Sequence, residues 1–141
     1  MTHTYKYPRP AVTVDALILK KTTAEVLLVK RAGKPFKDCW ALPGGFVEMD
    51  ELLEDACLRE LKEETGLVLN QVEQFQVYDG LERDPRERIL SVVFYGFAEK
   101  DAEVKGGDDA AEAAWFKPDE LPELAFDHAT IIRDFLKRLG Q

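Results

Sequence analysis

Three glutamates occupy positions of a predicted helix where apolar residues are expected. Segment 51–65 contains no Gly or Pro, and Gly66 follows it as the residue that ends the helix in a left-handed turn. At about 100° per residue, the apolar face of the first turns is formed by Leu52, Leu53, Ala56 and Cys57. The last turns place the carboxylates of Glu60, Glu63 and Glu64 on that same face.

Clustered carboxylates repel one another and lose hydration, so they either become protonated or enclose a cation. Ligands that are all oxygen suit Mg²⁺ or Mn²⁺, and Mg²⁺ commonly completes its coordination with water and substrate phosphates. The alternative is a solvated helix end, in which the glutamates pair with Arg59, Lys62 or residues elsewhere. From residue types alone, a metal site and a charged surface are the two explanations for this face.

The elements that position this helix are mostly strands. Strand-like segments lie at 12–19, 26–30, 39–42, 75–78, 89–97 and 113–116. The turn at 20–23 predicts a hairpin, Asp50 is the predicted N-cap of the first helix, and 130–139 forms an amphipathic C-terminal helix. Because long strands do not alternate regularly with helices, we predict an α/β fold of α+β character: a layered α/β/α domain with a mixed sheet, not a doubly wound one.

Composition limits the partners. The 141 residues include 27 acidic and 19 basic side chains, for a net charge of −8, which argues against a broad nucleic-acid-binding face. We predict a single domain over 1–141, because a second module would leave neither part enough surface to bury. No segment approaches the ~20 apolar residues of a membrane span, and the start lacks a signal-peptide core. We therefore expect no membrane partner, a cytoplasmic location, and reduced thiols at Cys39 and Cys57.

A highly specific motif spans 45–67. It matches the signature G-x5-E-x7-R-E-U-x-E-E-x-G-U, where U is a bulky aliphatic residue, at every specified position. The specified positions are Gly45, Glu51, Arg59, Glu60, Leu61, Glu63, Glu64, Gly66 and Leu67. This motif resembles the catalytic box of the Nudix hydrolases. The resemblance implies a Nudix-like α/β/α sandwich that cleaves the pyrophosphate of a nucleoside diphosphate linked to another group, with Mg²⁺, or alternatively Mn²⁺, as cofactor.

The resemblance also implies residue roles. The metal ligands would be Gly44, through its carbonyl, with Glu60, Glu63 and Glu64, Glu63 acting either directly or through water. The catalytic set would be Glu51, Arg59, Glu63 and Glu64. Arg59 would hold the glutamates by charge-assisted hydrogen bonds rather than touch substrate. Glu51 would support the ligands from behind, although an ordinary first-turn acid that favours the helix dipole is the alternative.

Segments outside the box resemble the small ADP-ribose pyrophosphatase branch of the family. These segments are 7–10, Asp15, 42–48, 83–86, 107–110 and 124–128. The implied reaction converts ADP-ribose, or a related ADP-sugar, to AMP and a sugar 5-phosphate. One departure is that Glu87 and Arg88 stand where this branch often has Gly-His, which leaves the details of substrate contact open.

Further candidates lie around the box. Substrate-binding candidates are Arg83, Arg86 and Arg88 for phosphate or terminal ribose, and Phe36 and Trp40 for stacking on adenine. A Pro-stabilised turn at 83–86 and core packing of Trp40 are the alternatives. Three residues are candidates for an extra acid that serves as metal ligand or general base: Asp108, Asp109 and Glu112. The alternative is that this acidic loop is simply solvated. Asp127 is the predicted N-cap of the C-terminal helix, and lining of the cleft by Asp127 and His128 is the alternative.

Two rival functions follow from the same motif. A house-cleaning nucleoside triphosphate pyrophosphatase would release pyrophosphate instead. A sensor domain without turnover is disfavoured, because the box acids are intact and the chain ends at Gln141, just after the second helix. A small nucleotide is the expected partner, and a homodimer is implied by the resemblance alone. The sequence leaves open the terminal group, the number of metals, the general base and the oligomeric state.

Overall fold

A computed structural model describes residues 4–107 and 110–140. The strands are β1 (Ala11–Lys20), β2 (Val26–Arg31), β3 (Trp40–Ala41), β4 (Gly44–Phe46), β5 (Glu73–Tyr78), β6 (Ile89–Ala98) and β7 (Ala110–Phe116). The helices are α1 (Leu53–Thr65) and α2 (His128–Arg138). Every predicted segment is present within a residue or a few of its predicted bounds. The short strand β4 is an addition.

The sheet is mixed, as predicted. Its strand order is β3-β2-β1-β6-β5, with β4 paired to β1 and β7 paired to β2. Strands β1 and β6 run parallel along their whole length, whereas β1 and β2 are antiparallel and pair only at Leu19 and Val26, beside the predicted turn. The hairpin therefore opens away from its turn. In the opened part, β4 pairs with β1 and β3 pairs with β2, whereas β7 pairs with β2 along its whole length.

Each face of the sheet is covered by one helix. Because side chains alternate along a strand, β1 supplies both layers. On one side, Val14, Ala16 and Ile18 pack in a core that includes Ala56, Cys57 and Leu61 of α1. On the other side, Leu17 and Leu19 pack in a core that includes Ile131, Ile132 and Phe135 of α2. The result is the predicted α/β/α sandwich.

The start of α1 differs from the prediction. Asp50 is not its N-cap: Leu52 holds that position with extended backbone (φ −76°, ψ 155°), and within the described chain no side chain caps this helix. Leu52 is 73% exposed and so does not belong to the buried face. The residue before Leu52 is engaged by its neighbours in the chain: the Glu51 carboxylate accepts the Glu48 N–H (2.9 Å) and binds Arg59. The helix end is as predicted, with Gly66 at φ 77°.

Two further properties of the chain bear on the predictions. Within residues 4–107 and 110–140, neither helix combines the length and apolarity that crossing a bilayer requires. Cys39 and Cys57 are free thiols. Burial in the core beneath α1 raises the pKa of Cys57 to about 12.

Candidate active site

A cleft of about 740 Å³ lies where the opened hairpin, β4 and α1 meet. Its lining includes two box carboxylates, those of Glu60 and Glu64. It also includes a basic and aromatic group of side chains, Arg31, Lys34, Phe46, Arg86 and Phe126. Carboxylates that can hold a cation and guanidinium groups that can hold phosphate are thus combined in one cavity.

Arg59 organises the acidic part of the site. Its Nη2 and Nε donate to the two carboxylate oxygens of Glu51 (2.6 and 2.9 Å), and its Nη1 donates to Glu60 (3.0 Å) and Glu63 (3.1 Å). Its Nη2 also donates to the carbonyl of Phe46 (3.3 Å), which ties the group to β4. The hydrogen bond from Arg59, reinforced by the Glu48 N–H, lowers the pKa of Glu51 to about 2.

Glu60 and Glu64 are held against the backbone of β4. The N–H of Gly44 donates to Glu64 Oε1 (3.0 Å). A Cβ atom at Gly45 would lie 2.5 Å from Glu60 Oε2, so a larger residue there would displace the Glu60 carboxylate. Burial is the largest influence on Glu60 and raises its pKa. Glu63 and Glu51 add to this effect, and the opposing influence of Arg59 does not cancel it. Glu60 is therefore a carboxylate whose negative charge is incompletely compensated.

The donor chemistry of this region fits a hard divalent cation. Glu60, Glu64 and the Gly44 carbonyl are oxygen donors, and a cation would relieve the electrostatic cost that raises the pKa of Glu60. Within residues 4–107 and 110–140, no three acidic, histidine or cysteine side chains are already grouped around a metal position. In this structure Arg59 donates to Glu60 and the Gly44 N–H donates to Glu64. The side chain of Glu63 is 42% exposed and lies outside the cleft lining.

A buried polar chain forms the floor of the cleft. Ser91 Oγ donates to Asp15 Oδ2, and the other oxygen of Asp15 lies 3.7 Å from His128 Nε2. Burial acts to raise the pKa of Asp15, but His128, Ser91 and Arg83 outweigh it, so this pKa is lowered and the group stays charged. Sequence reasoning missed Ser91. Its signal was a polar residue within the apolar segment 89–97.

Arg83 lines the cleft but is committed to another side chain. Its Nε and Nη2 donate to the two carboxylate oxygens of Asp127 (2.9 and 2.7 Å), and its own side chain is only 5% exposed. The prediction that Asp127 caps α2 is right about the position but wrong about the hydrogen bond. Asp127 holds the N-cap position of α2, but in the described chain no side chain caps that helix, because this carboxylate is turned to Arg83.

The other two predicted arginines have different surroundings. Arg86 forms a bidentate pair with Asp84 (2.7 and 3.0 Å), and its guanidinium lies 5.6 Å from the Phe46 ring centroid and 5.8 Å from that of Phe126. Arg88 donates to the backbone carbonyls of residues 79 and 80 and lies outside the cleft lining. Of the two, only Arg86 is placed to reach a ligand in the cleft.

The aromatic wall of the cleft is not the predicted one. Trp40 packs edge-on against Phe116 (4.8 Å) in the core beneath α2, as its core-packing alternative holds. Phe36 packs against Phe126 (4.8 Å), and it is Phe126 that lines the cleft, with the Arg31 guanidinium 5.0 Å from its ring. Phe126 has a left-handed backbone (φ 52°), which costs about 1–2 kcal/mol; strain of this kind clusters at ligand sites.

The extra-acid candidates divide in two. Asp108 and Asp109 lie outside the described residues. Glu112 lies on β7, where it faces Lys30 at 3.7 Å with its side chain 60% exposed, and it does not line the cleft.

Removing one partner of the Arg83–Asp127 pair will destabilise the protein. We expect Arg83→Ala to lower the free energy of unfolding by about 3 kcal/mol, because it leaves the Asp127 carboxylate without its counter-charge in a partly buried position. Arg133→Ala, which truncates a 64% exposed arginine of α2, is the matched control and should cost far less. Urea denaturation measures both. Equal losses in the two variants would contradict a structural role for the pair.

A mixed sheet between two helices, with a glutamate-bearing helix on a cleft, is the architecture of the NUDIX class, and the NUDIX domain family matches residues 9–139. The chain therefore belongs to the Nudix family. It is 48% identical over 131 residues to an ADP-ribose pyrophosphatase of Methanocaldococcus jannaschii, covering 93% of this chain and 76% of the relative. It is 32% identical to the ADPR responsive transcriptional repressor NtrR of Acinetobacter baylyi, covering 95% of this chain but 56% of the repressor.

Solved structures agree with this placement. A bifunctional NMN adenylyltransferase/ADP ribose pyrophosphatase of Francisella tularensis, complexed with AMP and a Mn ion, is 32% identical with a TM-score of 0.85, over 95% of this chain and 43% of that chain. The NUDIX domain of Shewanella oneidensis NrtR, complexed with ADP ribose, is 30% identical with a TM-score of 0.84, over 94% of this chain and 90% of that chain.

Proposed function

We propose that this Nudix protein is a metal-dependent pyrophosphohydrolase that cleaves ADP-ribose, or a related ADP-sugar, into AMP and a sugar 5-phosphate. The observation that carries the proposal is the cleft itself, which combines Glu60 and Glu64, organised through Arg59 and β4, with Arg86 and Phe126. Its similarity to an ADP-ribose pyrophosphatase supports this substrate. The complex of a related NUDIX domain with ADP ribose supports it further.

The chemistry requires two things of the chain. A pyrophosphate is densely anionic, so its oxygens must be neutralised while water is directed at one phosphorus and the bridging P–O bond breaks. When bound, a divalent cation, Mg²⁺ or alternatively Mn²⁺, neutralises phosphate oxygens and lowers the pKa of water. Glu60, Glu64 and the Gly44 carbonyl would hold this cation, with Glu63 as a further or water-mediated ligand. Glu51 and Arg59 keep the carboxylates in place.

The remaining cleft residues bind the nucleotide. Arg86 and Arg31 are guanidinium groups beside an aromatic ring, so they can pair with phosphate oxygens while the base or sugar contacts Phe126. Lys34, also in the lining, adds positive charge in a chain whose net charge is −8. Substrate binding therefore depends on this local basic region against an overall acidic field.

A ligand sensor is the second candidate, because the relatives include a transcriptional repressor and a structure of NrtR. A nucleoside triphosphate pyrophosphatase is the third. The intact set of box acids favours turnover over sensing. We also propose that residues 1–141 form a single domain and that the protein is located in the cytoplasm, which suits a nucleotide substrate. We further propose a homodimer, and sedimentation equilibrium tests this oligomeric state.

A panel of nucleotides decides between these functions. ADP-ribose, other ADP-sugars, dinucleotides and nucleoside triphosphates are incubated with Mg²⁺, with Mn²⁺ or with chelator, and products are separated by chromatography. The expected result is metal-dependent release of AMP from ADP-ribose at a kcat/KM far above that of any triphosphate. Preference for a triphosphate with release of pyrophosphate would refute the substrate. Binding of ADP-ribose without turnover would establish the sensor.

Phe126 should contribute to substrate affinity. Loss of a base-stacking ring costs about 1–3 kcal/mol, so we expect Phe126→Ala to raise KM for ADP-ribose about ten-fold or more with a smaller change in kcat. Phe126→Tyr should retain most of the affinity. The matched control is Phe97→Ala, which removes a 41% exposed ring on β6, outside the cleft. An unchanged KM in Phe126→Ala would place the base elsewhere.

A further inference from the structure

The segment that leads into the Nudix box is held at three successive residues. The N–H of Leu42 donates to His128 Nδ1 (3.0 Å), and the carbonyl of Pro43 accepts the Ala16 N–H (2.7 Å). The N–H of Gly44 then donates to Glu64 (3.0 Å). Because Pro43 has no N–H and a restricted φ, the Leu42 N–H is the last backbone donor before Gly44. A shift at Leu42 would therefore act on Gly44 through a single restricted residue, Pro43.

His128 is unusual for a first helical residue. It is only 3% exposed and its Nδ1 accepts a hydrogen bond, so the proton of the neutral ring is on Nε2, on the side of Asp15. Asp15 is in turn held by Ser91 of β6. Asp127, the residue before His128, accepts a hydrogen bond from Arg83. The imidazole is thus hydrogen-bonded to Leu42, faces the Asp15–Ser91 pair of β1 and β6, and is carried by the start of α2.

Gly44, two residues after Leu42, has little room to move. A Cβ atom at Gly44 would lie 2.2 Å from the carbonyl oxygen of Val14, so β4 already runs as close to β1 as a backbone allows. Gly44 carries both the N–H that holds Glu64 and the carbonyl assigned above to the metal. A displacement of about 1 Å in such a site can cost roughly a hundred-fold in rate.

We propose that His128 is a positioning residue: its Nδ1 holds the Leu42 N–H and so sets Gly44 against Glu64. The expected effect of His128 on kcat rests on the proposed function, whereas its expected effect on the Leu42 and Gly44 amides does not. His128 does not touch the reacting atoms in this scheme. It acts from α2, on the other layer of the sandwich, through the backbone that precedes β4.

Amide side chains test which ring nitrogen matters. In His128→Asn the side-chain oxygen can occupy the place of Nδ1 and accept the Leu42 N–H, whereas in His128→Gln the amide group extends to the place of Nε2. We expect His128→Gln and His128→Leu to lower kcat roughly 10- to 100-fold with little change in KM. His128→Asn should restore most of kcat. Because Asn and Gln are equally polar, the comparison separates positioning from general destabilisation.

An amide proton–nitrogen correlation spectrum supplies a readout without metal or substrate. Hydrogen exchange of the Leu42 and Gly44 amides, followed in this spectrum, should accelerate in His128→Gln and His128→Leu but not in His128→Asn. If the wild-type protein does not turn over ADP-ribose, the proposed function fails while these amides still decide the role of His128. Unchanged amides in His128→Gln, or equal impairment of the Asn and Gln variants, would overturn the inference. The Asn and Gln pair decides it even if the leucine variant does not fold.

Discussion

Glu64→Gln will reduce turnover of ADP-ribose by at least about a hundred-fold while the fold stays intact. The amide oxygen of glutamine can still accept the Gly44 N–H, so β4 should remain in place against α1. What is lost is one negative charge in the cleft at a position assigned to metal binding. The substitution therefore separates the electrostatic contribution of Glu64 from its structural contact with the backbone.

The measurement is kcat at saturating Mg²⁺ and ADP-ribose, together with the midpoint of thermal unfolding. Glu120→Gln is the matched control, because it removes the same charge from an exposed loop residue and should leave kcat unchanged. Full activity in Glu64→Gln would refute the assignment of this residue. A loss of kcat together with a large fall in the unfolding midpoint would show that the charge of Glu64 stabilises the fold, and the loss of activity would then not support a metal ligand.

Arg59→Ala is expected to lower kcat about 10- to 100-fold and to raise the Mg²⁺ concentration needed for half-maximal activity. Without the guanidinium, the carboxylates of Glu51, Glu60 and Glu63 lose their shared donor and repel one another. They would then adopt positions other than those needed for a cation. Arg59→Lys keeps the charge but cannot donate to several carboxylates and a carbonyl at once, so it should recover only part of the loss.

A titration of Mg²⁺ at fixed ADP-ribose concentration measures this effect. Arg88→Ala provides a comparison, since Arg88 donates only to backbone carbonyls in its described contacts, which are outside the cleft. An identical Mg²⁺ dependence in wild type and Arg59→Ala would mean that Arg59 does not organise the ligands. A shift in KM for ADP-ribose without a metal effect would assign Arg59 to substrate binding.

Local sequence was sufficient for the parts of the molecule that are made within one element. The face shared by Glu60 and Glu64 follows from helical periodicity, and the buried strands β1 and β6 follow from their apolar runs. Gly66 was predictable because a left-handed helix end favours glycine. The start of α1 was not predicted correctly. Capping preference favours Asp50, whereas in the structure Leu52 holds the N-cap position and the Glu51 side chain binds Glu48 and Arg59.

By itself, the sequence determined the family, the layered fold, and the spacing that brings Arg59, Glu60 and Glu64 together on one helix. Only the tertiary structure decided which other side chains reach the cleft. It turned Arg83 to Asp127, placed Trp40 in the core, and assembled the Ser91, Asp15 and His128 chain. These contacts join segments far apart in the sequence, so they depend on sheet register and helix docking, which no local periodicity encodes.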